Sequence, residues 1–151
     1  AEERPTLDVA IKRIELLQKL PVFSDLDPAR LKRLARALKT RYADAGDIII
    51  RKDDPAKAVF FIASGAVELR VAGQSWRLGR GEIFGQAALM SGRRHKPTVR
   101  AIVPTALLVL DEARFRRLLK RSARFRKAVL DSAQARGLDL TPFVTNQKSA
   151  L

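Results

Sequence analysis

Cysteine is absent, and methionine, tryptophan, tyrosine and histidine occur once each. Without cysteine there is no disulfide framework and no thiol chemistry. A single histidine among scattered carboxylates argues against a metal centre. No apolar run approaches the roughly 18–20 residues that a membrane-crossing helix needs. The longest, such as Ala106–Leu110, are strand-sized. The start, Ala-Glu-Glu-Arg-Pro, is charged and no apolar core follows it, so no signal peptide is read. It also lacks an initiator methionine, which suggests excision from a longer protein. Acidic residues are in short supply: 16 Asp and Glu stand against 30 Lys and Arg, a net charge of +14.

A field of that sign attracts nucleic acid, anionic lipid, acidic protein surfaces or phosphorylated ligands. A chain of 151 residues, 46% hydrophobic, suits one folded domain and not a disordered segment. The charge is uneven. From Glu112 to Gly137, nine Lys or Arg face two acids, Glu112 and Asp131. Composition leaves two readings of that stretch open, a solvated helical face and a partner-binding face.

Three zones are readable. In residues 1–40, Leu7, Ile11, Ile14 and Leu17 keep helical spacing, and Pro21 stops that helix. Asp27-Pro28 then supplies a cap and a first-turn proline for a helix with Leu31, Leu34, Ala35 and Leu38 on its buried face. Residues 41–111 alternate short apolar runs (48–50, 58–63, 66–71, 76–78, 98–103, 106–110) with turn residues. That pattern predicts a β-sandwich, jelly roll or barrel. Ser64-Gly65, between two apolar runs, predicts a tight hairpin. Residues 112–137 are helical again. Asp111 and Ser122 are placed to cap two helices, one carrying Phe115, Leu118 and Leu119, the other Phe125, Ala128, Val129 and Ala133, with Gly137 as terminator. The tail, 138–151, is expected to be flexible. One domain covers all of it.

The segment 79–98 breaks the strand pattern. Gly79, Gly81 and Gly85 lead into a helix-compatible run, Gln86–Met90, and then Arg93-Arg94-His95-Lys96. A glycine turn feeding a helix points backbone N–H groups outward, and cations stand beside it, which suggests a bound phosphate.

Several ordered patterns resemble the cyclic-nucleotide-binding domain family. They are Leu20-Pro21-Val22-Phe23-Ser24-Asp25-Leu26 at the entry, Ala45-Gly46-Asp47-Ile48-Ile49, Val59–Leu69 as a central hairpin, and Gly81-Glu82-Ile83-Phe84-Gly85. The resemblance covers about Ile14 to Ala135. It implies an α+β fold, an antiparallel β-roll (jelly-roll-like, about eight strands) with N-terminal helices, a short cassette helix and two C-terminal lid helices. It also implies a phosphate-binding cassette at 81–99. In layout the chain is most similar to regulatory domains of bacterial channels and transporters.

The family cassette reads Phe-Gly-Glu-x-Ala-Leu, a spacer, then Arg-Ser/Thr-Ala-Thr-Val. The Glu serves the ribose hydroxyl and the Arg the cyclic phosphate. By that resemblance the ligand-binding residues are Phe84, Gly85, Gln86, Ala87, Ala88, Arg94, His95, Lys96 and Thr98. Lid positions fall on Phe125, Val129 and Leu130. The chain departs from the pattern at four positions. Gln86 replaces the carboxylate and His95 the arginine. Lys96 replaces the hydroxyl residue, and Pro97 removes a backbone N–H. Arg93, Arg94 and Lys96 could compensate. Plainer readings stand beside these: His95 as a solvated loop residue, Gln86 as a helix cap, Thr98 serving its own backbone, Trp76 as hairpin or core packing, and Phe125 and Val129 packing on the roll.

The resemblance implies a non-enzymatic regulatory domain taking cAMP or cGMP and no other cofactor. It would be the cytoplasmic part of a larger membrane protein, moving its terminal helices on binding. The alternative is a degenerate domain that binds no nucleotide and works as an assembly module, its basic helices meeting an acidic partner, an anionic surface or a second copy. Sequence-specific DNA binding is not expected, because too few residues follow Arg136 for a helix-turn-helix. No nucleophile–base pair suggests catalysis.

Overall fold

The helix at Pro28 begins where its cap dictates. Asp27 is extended, its Oδ1 accepts the Arg30 N–H at 2.8 Å, and Pro28 follows in the first turn. This helix, α1 (Pro28–Ala37), buries Leu31, Leu34 and Ala35. The computed structural model describes residues 25–92 and 94–134, preceded by Glu15, Leu17, Gln18 and Phe23. The expectations resting on Leu7, Ile11, Ile14, Pro21, Arg93, Gly137, the 138–151 tail and the side chain of Ala133 fall outside the described residues.

Eight strands follow: β1 (Lys39–Ala43), β2 (Ile48–Ile50), β3 (Ala58–Ser64), β4 (Ala66–Val71), β5 (Gln74–Gly79), β6 (Ile83–Phe84), β7 (Thr98–Ala101) and β8 (Thr105–Asp111). They form two four-stranded sheets, ordered β1-β8-β3-β6 and β2-β7-β4-β5, with every pairing antiparallel. Helix α2 (Gln86–Ser91) lies between β6 and β7, and α3 (Glu112–Arg121) and α4 (Ala123–Gln134) close the described chain. The expected α+β roll is therefore present. It begins at Lys39, slightly earlier than position 41.

Ser64-Gly65 is not the predicted hairpin. β3 pairs with β6 and β8, and β4 with β5 and β7, so the chain changes sheets at this turn. Gly65 has φ +93°, and a Cβ there would lie 2.5 Å from Thr105 Oγ1. That buried hydroxyl accepts the Ala66 N–H at 3.2 Å and lies 2.8 Å from the Val103 carbonyl. Only glycine fits so close a crossing. The tight hairpin is instead β4–β5. Val71 pairs with Gln74, and Ala72 and Gly73 both take positive φ, the two-residue turn that matches strand twist.

Two apolar clusters share the β1-β8-β3-β6 sheet. Phe60, Ile62 and Leu107 point into the roll with Val67, Leu69 and Val99. Val59, Phe61, Leu108 and Leu110 point the other way, onto the helices. Both faces of β3 are thus covered, which is why its sequence reads as an unbroken apolar run. Over the outer face, Phe125 lies 5.9 Å from Phe23, 6.3 Å from Phe61 and 5.7 Å from Phe115, centroid to centroid. Aromatic rings at such spacings add to the burial of their area.

Candidate functional site

β6 delivers the chain to Gly85, whose φ of +90° turns it sharply into α2. A Cβ at Gly85 would lie 3.2 Å from the Ala58 carbonyl oxygen and 3.3 Å from the Phe60 ring. The φ favours glycine here, and a side chain would also sit tightly against both neighbours. The first turn of a helix leaves amide donors without intrahelical acceptors. Gly92, with φ +68°, ends α2, and its N–H donates to the Ala88 carbonyl. The helix buries Gln86, Ala88, Leu89 and Met90, while Ala87 is half-buried.

The second half of the segment returns antiparallel to the 53–55 turn. The His95 N–H donates to the Asp54 carbonyl at 2.8 Å, and the Asp53 N–H donates to the His95 carbonyl at 2.8 Å. Arg94 bridges to Pro55, and its Nη1 donates to the Asp53 carbonyl at 2.9 Å. The charged run at 94–96 is thereby stitched to a turn some forty residues away. Sequence spacing gave no hint of this partner.

His95 is 4% exposed and Gln86 1%. His95 is thus not the solvated loop residue of the plainer reading. Its Cε1 would sit 3.7 Å from a Cβ at Gly85, so the imidazole occupies space beside the glycine turn. Burial pushes it below the ordinary histidine value, and the Asp54 carboxylate offsets part of that. At neutral pH it is the uncharged imidazole. Gln86 does not cap α2, because Gly85 holds the cap position and supplies no side chain.

Thr98 starts β7, and its Oγ1 accepts the Lys52 N–H at 3.1 Å. It serves a neighbouring segment's backbone, not its own. Phe84 is fully buried and stacks on Phe60 at 5.1 Å, so its side chain belongs to the roll interior. Phe125 and Val129 are likewise fully buried in the helix-side core, and Leu130 packs against it. Trp76 packs on the roll cluster, as its plainer reading had it.

An open cleft of about 840 Å3 runs past this segment, with Arg94, His95, Lys96, Asp53, Glu112 and Arg116 among its walls. Arg116 was not singled out from the sequence. Its Nη2 donates to the Leu89 carbonyl at 2.8 Å and lies 3.6 Å from Glu112. That bond ties the C-terminal half of α2 to α3. At the next junction, Ser122 Oγ bonds the Asp25 carboxylate at 2.9 Å and accepts the Phe125 N–H at 3.0 Å. The Ser122 cap on α4 was legible; its partner Asp25, far away in sequence, was not.

A model of the family described as the cyclic nucleotide-binding domain matches residues 40–122. A cyclic nucleotide-gated potassium channel of Mesorhizobium japonicum is 34% identical over 125 residues, covering 80% of this chain and 35% of that protein. A cAMP-dependent protein kinase regulatory subunit of Schizosaccharomyces pombe is 33% identical over 106 residues, covering 69% of this chain and 26% of that protein. The chain thus spans about a quarter to a third of these relatives' lengths. In fold it is similar to cAMP-bound PfPKA-R, with a TM-score of 0.72 at 23% identity over 91% of this chain and 51% of the other. Among the described residues, no helix is long and apolar enough to cross a membrane.

Proposed function

The chain belongs to the cyclic nucleotide-binding domain family, and on that premise we propose a non-enzymatic regulatory module that takes cAMP or cGMP at 84–98. The observation that carries this reading is the preserved turn at Gly85. Its positive φ and the crowding by Ala58 and Phe60 hold α2 against β3 in the position of the family cassette. The cyclic phosphate would meet the first amides of α2, with Arg94 and Lys96 as nearby cations and the neutral His95 imidazole beside them. Occupancy would be transmitted by packing. Leu89 and Met90 on α2 share a core with Phe115, Leu119 and Phe125, and Arg116 bonds Leu89 directly. A shift of α2 would therefore bias how α3 and α4 sit, a population shift between two packings. The channel relatives support a place for the module beside a membrane-spanning domain on the cytoplasmic side. Isothermal calorimetry with cAMP and cGMP tests the reading. Saturable binding is expected, and no heat at millimolar nucleotide would overturn it.

A second reading has its own observation. Two of the four replaced residues, Gln86 and His95, are both buried and neither carries charge at neutral pH. On that basis the module would hold no nucleotide and act in assembly alone. A thermal melt separates the two. Ligand at 100 times its dissociation constant adds about 2.7 kcal/mol of stability, whereas the assembly reading predicts a flat response.

A further inference from the structure

A second cleft, about 120 Å3 in volume, opens between α1 and α3. The two helices line it with the same spacing. From α1 come Arg30, Arg33, Leu34 and Ala37, at i, i+3, i+4 and i+7. From α3 come Arg114, Arg117, Leu118 and Arg121, at the same offsets. Residues so spaced share one helix face. Leu26, Leu34 and Leu118 form an apolar floor, and five guanidiniums ring it. The adjacent carboxylates are already engaged. Asp27 caps α1 and lies 3.7 Å from Arg30, and Asp111 caps α3 and pairs with Arg114. Among the described residues, no side-chain hydrogen bond or ion pair holds the exposed Arg33, Arg117 or Arg121.

We propose that this cleft docks an acidic amphipathic helix of a protein partner. One leucine-sized side chain would seat on the floor, with carboxylates on either side of it meeting the arginines. Guanidinium is the group that pairs a carboxylate through two parallel hydrogen bonds. Helices in grooves are recognised by an apolar anchor at helical spacing. The floor favours this occupant over the other anionic ones. A phosphodiester backbone has no apolar knob to insert, and a flat headgroup layer does not reach between two helices. A second copy of this chain is disfavoured by its net charge of +14.

Fluorescence anisotropy on the full chain tests the proposal. The probe is a dye-labelled, glutamate-rich helical peptide with leucines at i and i+4. Its control has serine at those positions and the same charge. The leucine peptide is expected to bind at least about tenfold tighter, roughly 1.4 kcal/mol. The double change Arg33→Glu, Arg117→Glu is expected to weaken it by at least about tenfold. The double change Lys57→Glu, Arg77→Glu, the same charge change on exposed residues elsewhere, should weaken it by less than about threefold. Circular dichroism and nucleotide calorimetry on each variant should be unchanged, so failure here is distinct from failure of the nucleotide reading. Equal binding of the two peptides would overturn the proposal, as would equal losses from the two charge reversals. A preference for phosphatidylserine vesicles or duplex DNA at the same arginines would also overturn it.

Discussion

Helix α3 is the common wall of two cation-lined clefts, and the cations on its two sides are employed differently. On the α2 side, Arg116 bonds the Leu89 carbonyl, and across the cleft Arg94 bonds the Asp53 carbonyl while the His95 backbone is paired with the 53–55 turn. These groups hold the protein's own backbone together, and one of them, His95, is buried and uncharged. On the α1 side, Arg33, Arg117 and Arg121 are exposed over leucines. On the first side Arg94 and Arg116 are tied into the fold, while Lys96 stays exposed. On the second, Arg30 and Arg114 pair with the cap aspartates, and Arg33, Arg117 and Arg121 are held out to solvent. A net charge read from the sequence cannot distinguish the two, since it counts each guanidinium equally.

The largest effect expected comes from removing what both clefts rest on. Phe125 is fully buried among three other aromatic rings. Phe125→Ala should cost about 3–5 kcal/mol through lost transfer energy and the cavity left behind. A denaturant melt reads this directly. A loss under about 1 kcal/mol would mean that α4 is not anchored as described. The next effect belongs to the α2 side alone. His95→Arg restores the family's cation, and one charge-assisted hydrogen bond is worth roughly 1.5–3 kcal/mol. Nucleotide affinity measured by calorimetry should rise by about tenfold or more. No change in affinity would show that position 95 does not face the phosphate.

What the sequence revealed follows the range of each interaction. The caps at Asp27, Asp111 and Ser122 were legible because each is a hydrogen bond made three residues along the chain. The roll was legible because its strands are short apolar runs separated by turn residues. β1 was not assigned as a strand because only Ala43 of its five residues is buried, so it presents no apolar run. The Ser64-Gly65 turn was misread because the same dipeptide suits a hairpin and a change of sheets. Thr105 decides between them, and it lies 39 residues from its partner Ala66. The burial of His95 was hidden for a related reason. It stands in a run of cations that reads as solvated, and the 53–55 turn its backbone pairs with lies some forty residues away. The arginine groove was half visible: the excess on α3 could be counted, but the matching face of α1 joins it only in three dimensions.

Smaller effects sharpen the contrast. Arg116→Ala removes the α2–α3 bond. The side chain is 39% exposed, so after screening the stability cost is about 1 kcal/mol. The more telling readout is hydrogen exchange. Nucleotide should still protect α2 in this variant, but the response of 112–121 should fade. His95 gives the two states opposite pH dependences. Its folded-state value lies below the unfolded one near about 6.5, so the unfolded chain binds the extra proton. Stability without ligand is full above that value and declines as pH falls through the folded-state value. His95→Gln should flatten the decline. Nucleotide affinity should run the other way, rising as pH falls from about 7.5 to 5.5, because the phosphate favours the imidazolium and binding takes up a proton. Affinity independent of pH would take His95 out of the phosphate's reach.

The smallest effect is expected at Arg33, and its smallness is the point. Arg33→Ala removes an exposed guanidinium that no described carboxylate or carbonyl engages. Substitutions of that kind stay within about 0.5 kcal/mol. Removing a cation from a field of +14 also relieves some self-repulsion, so the sign should lean towards stabilisation. Chemical denaturation at low and at 0.5 M salt measures both parts, and any gain should shrink as salt screens the field. A destabilisation above about 1 kcal/mol, persisting in salt, would show that Arg33 braces α1 against α3. The two sides of α3 would then be alike, with the groove a structural seam. A neutral or slightly positive result leaves the arginines without a role inside the folded chain, which is what a surface kept for a partner requires.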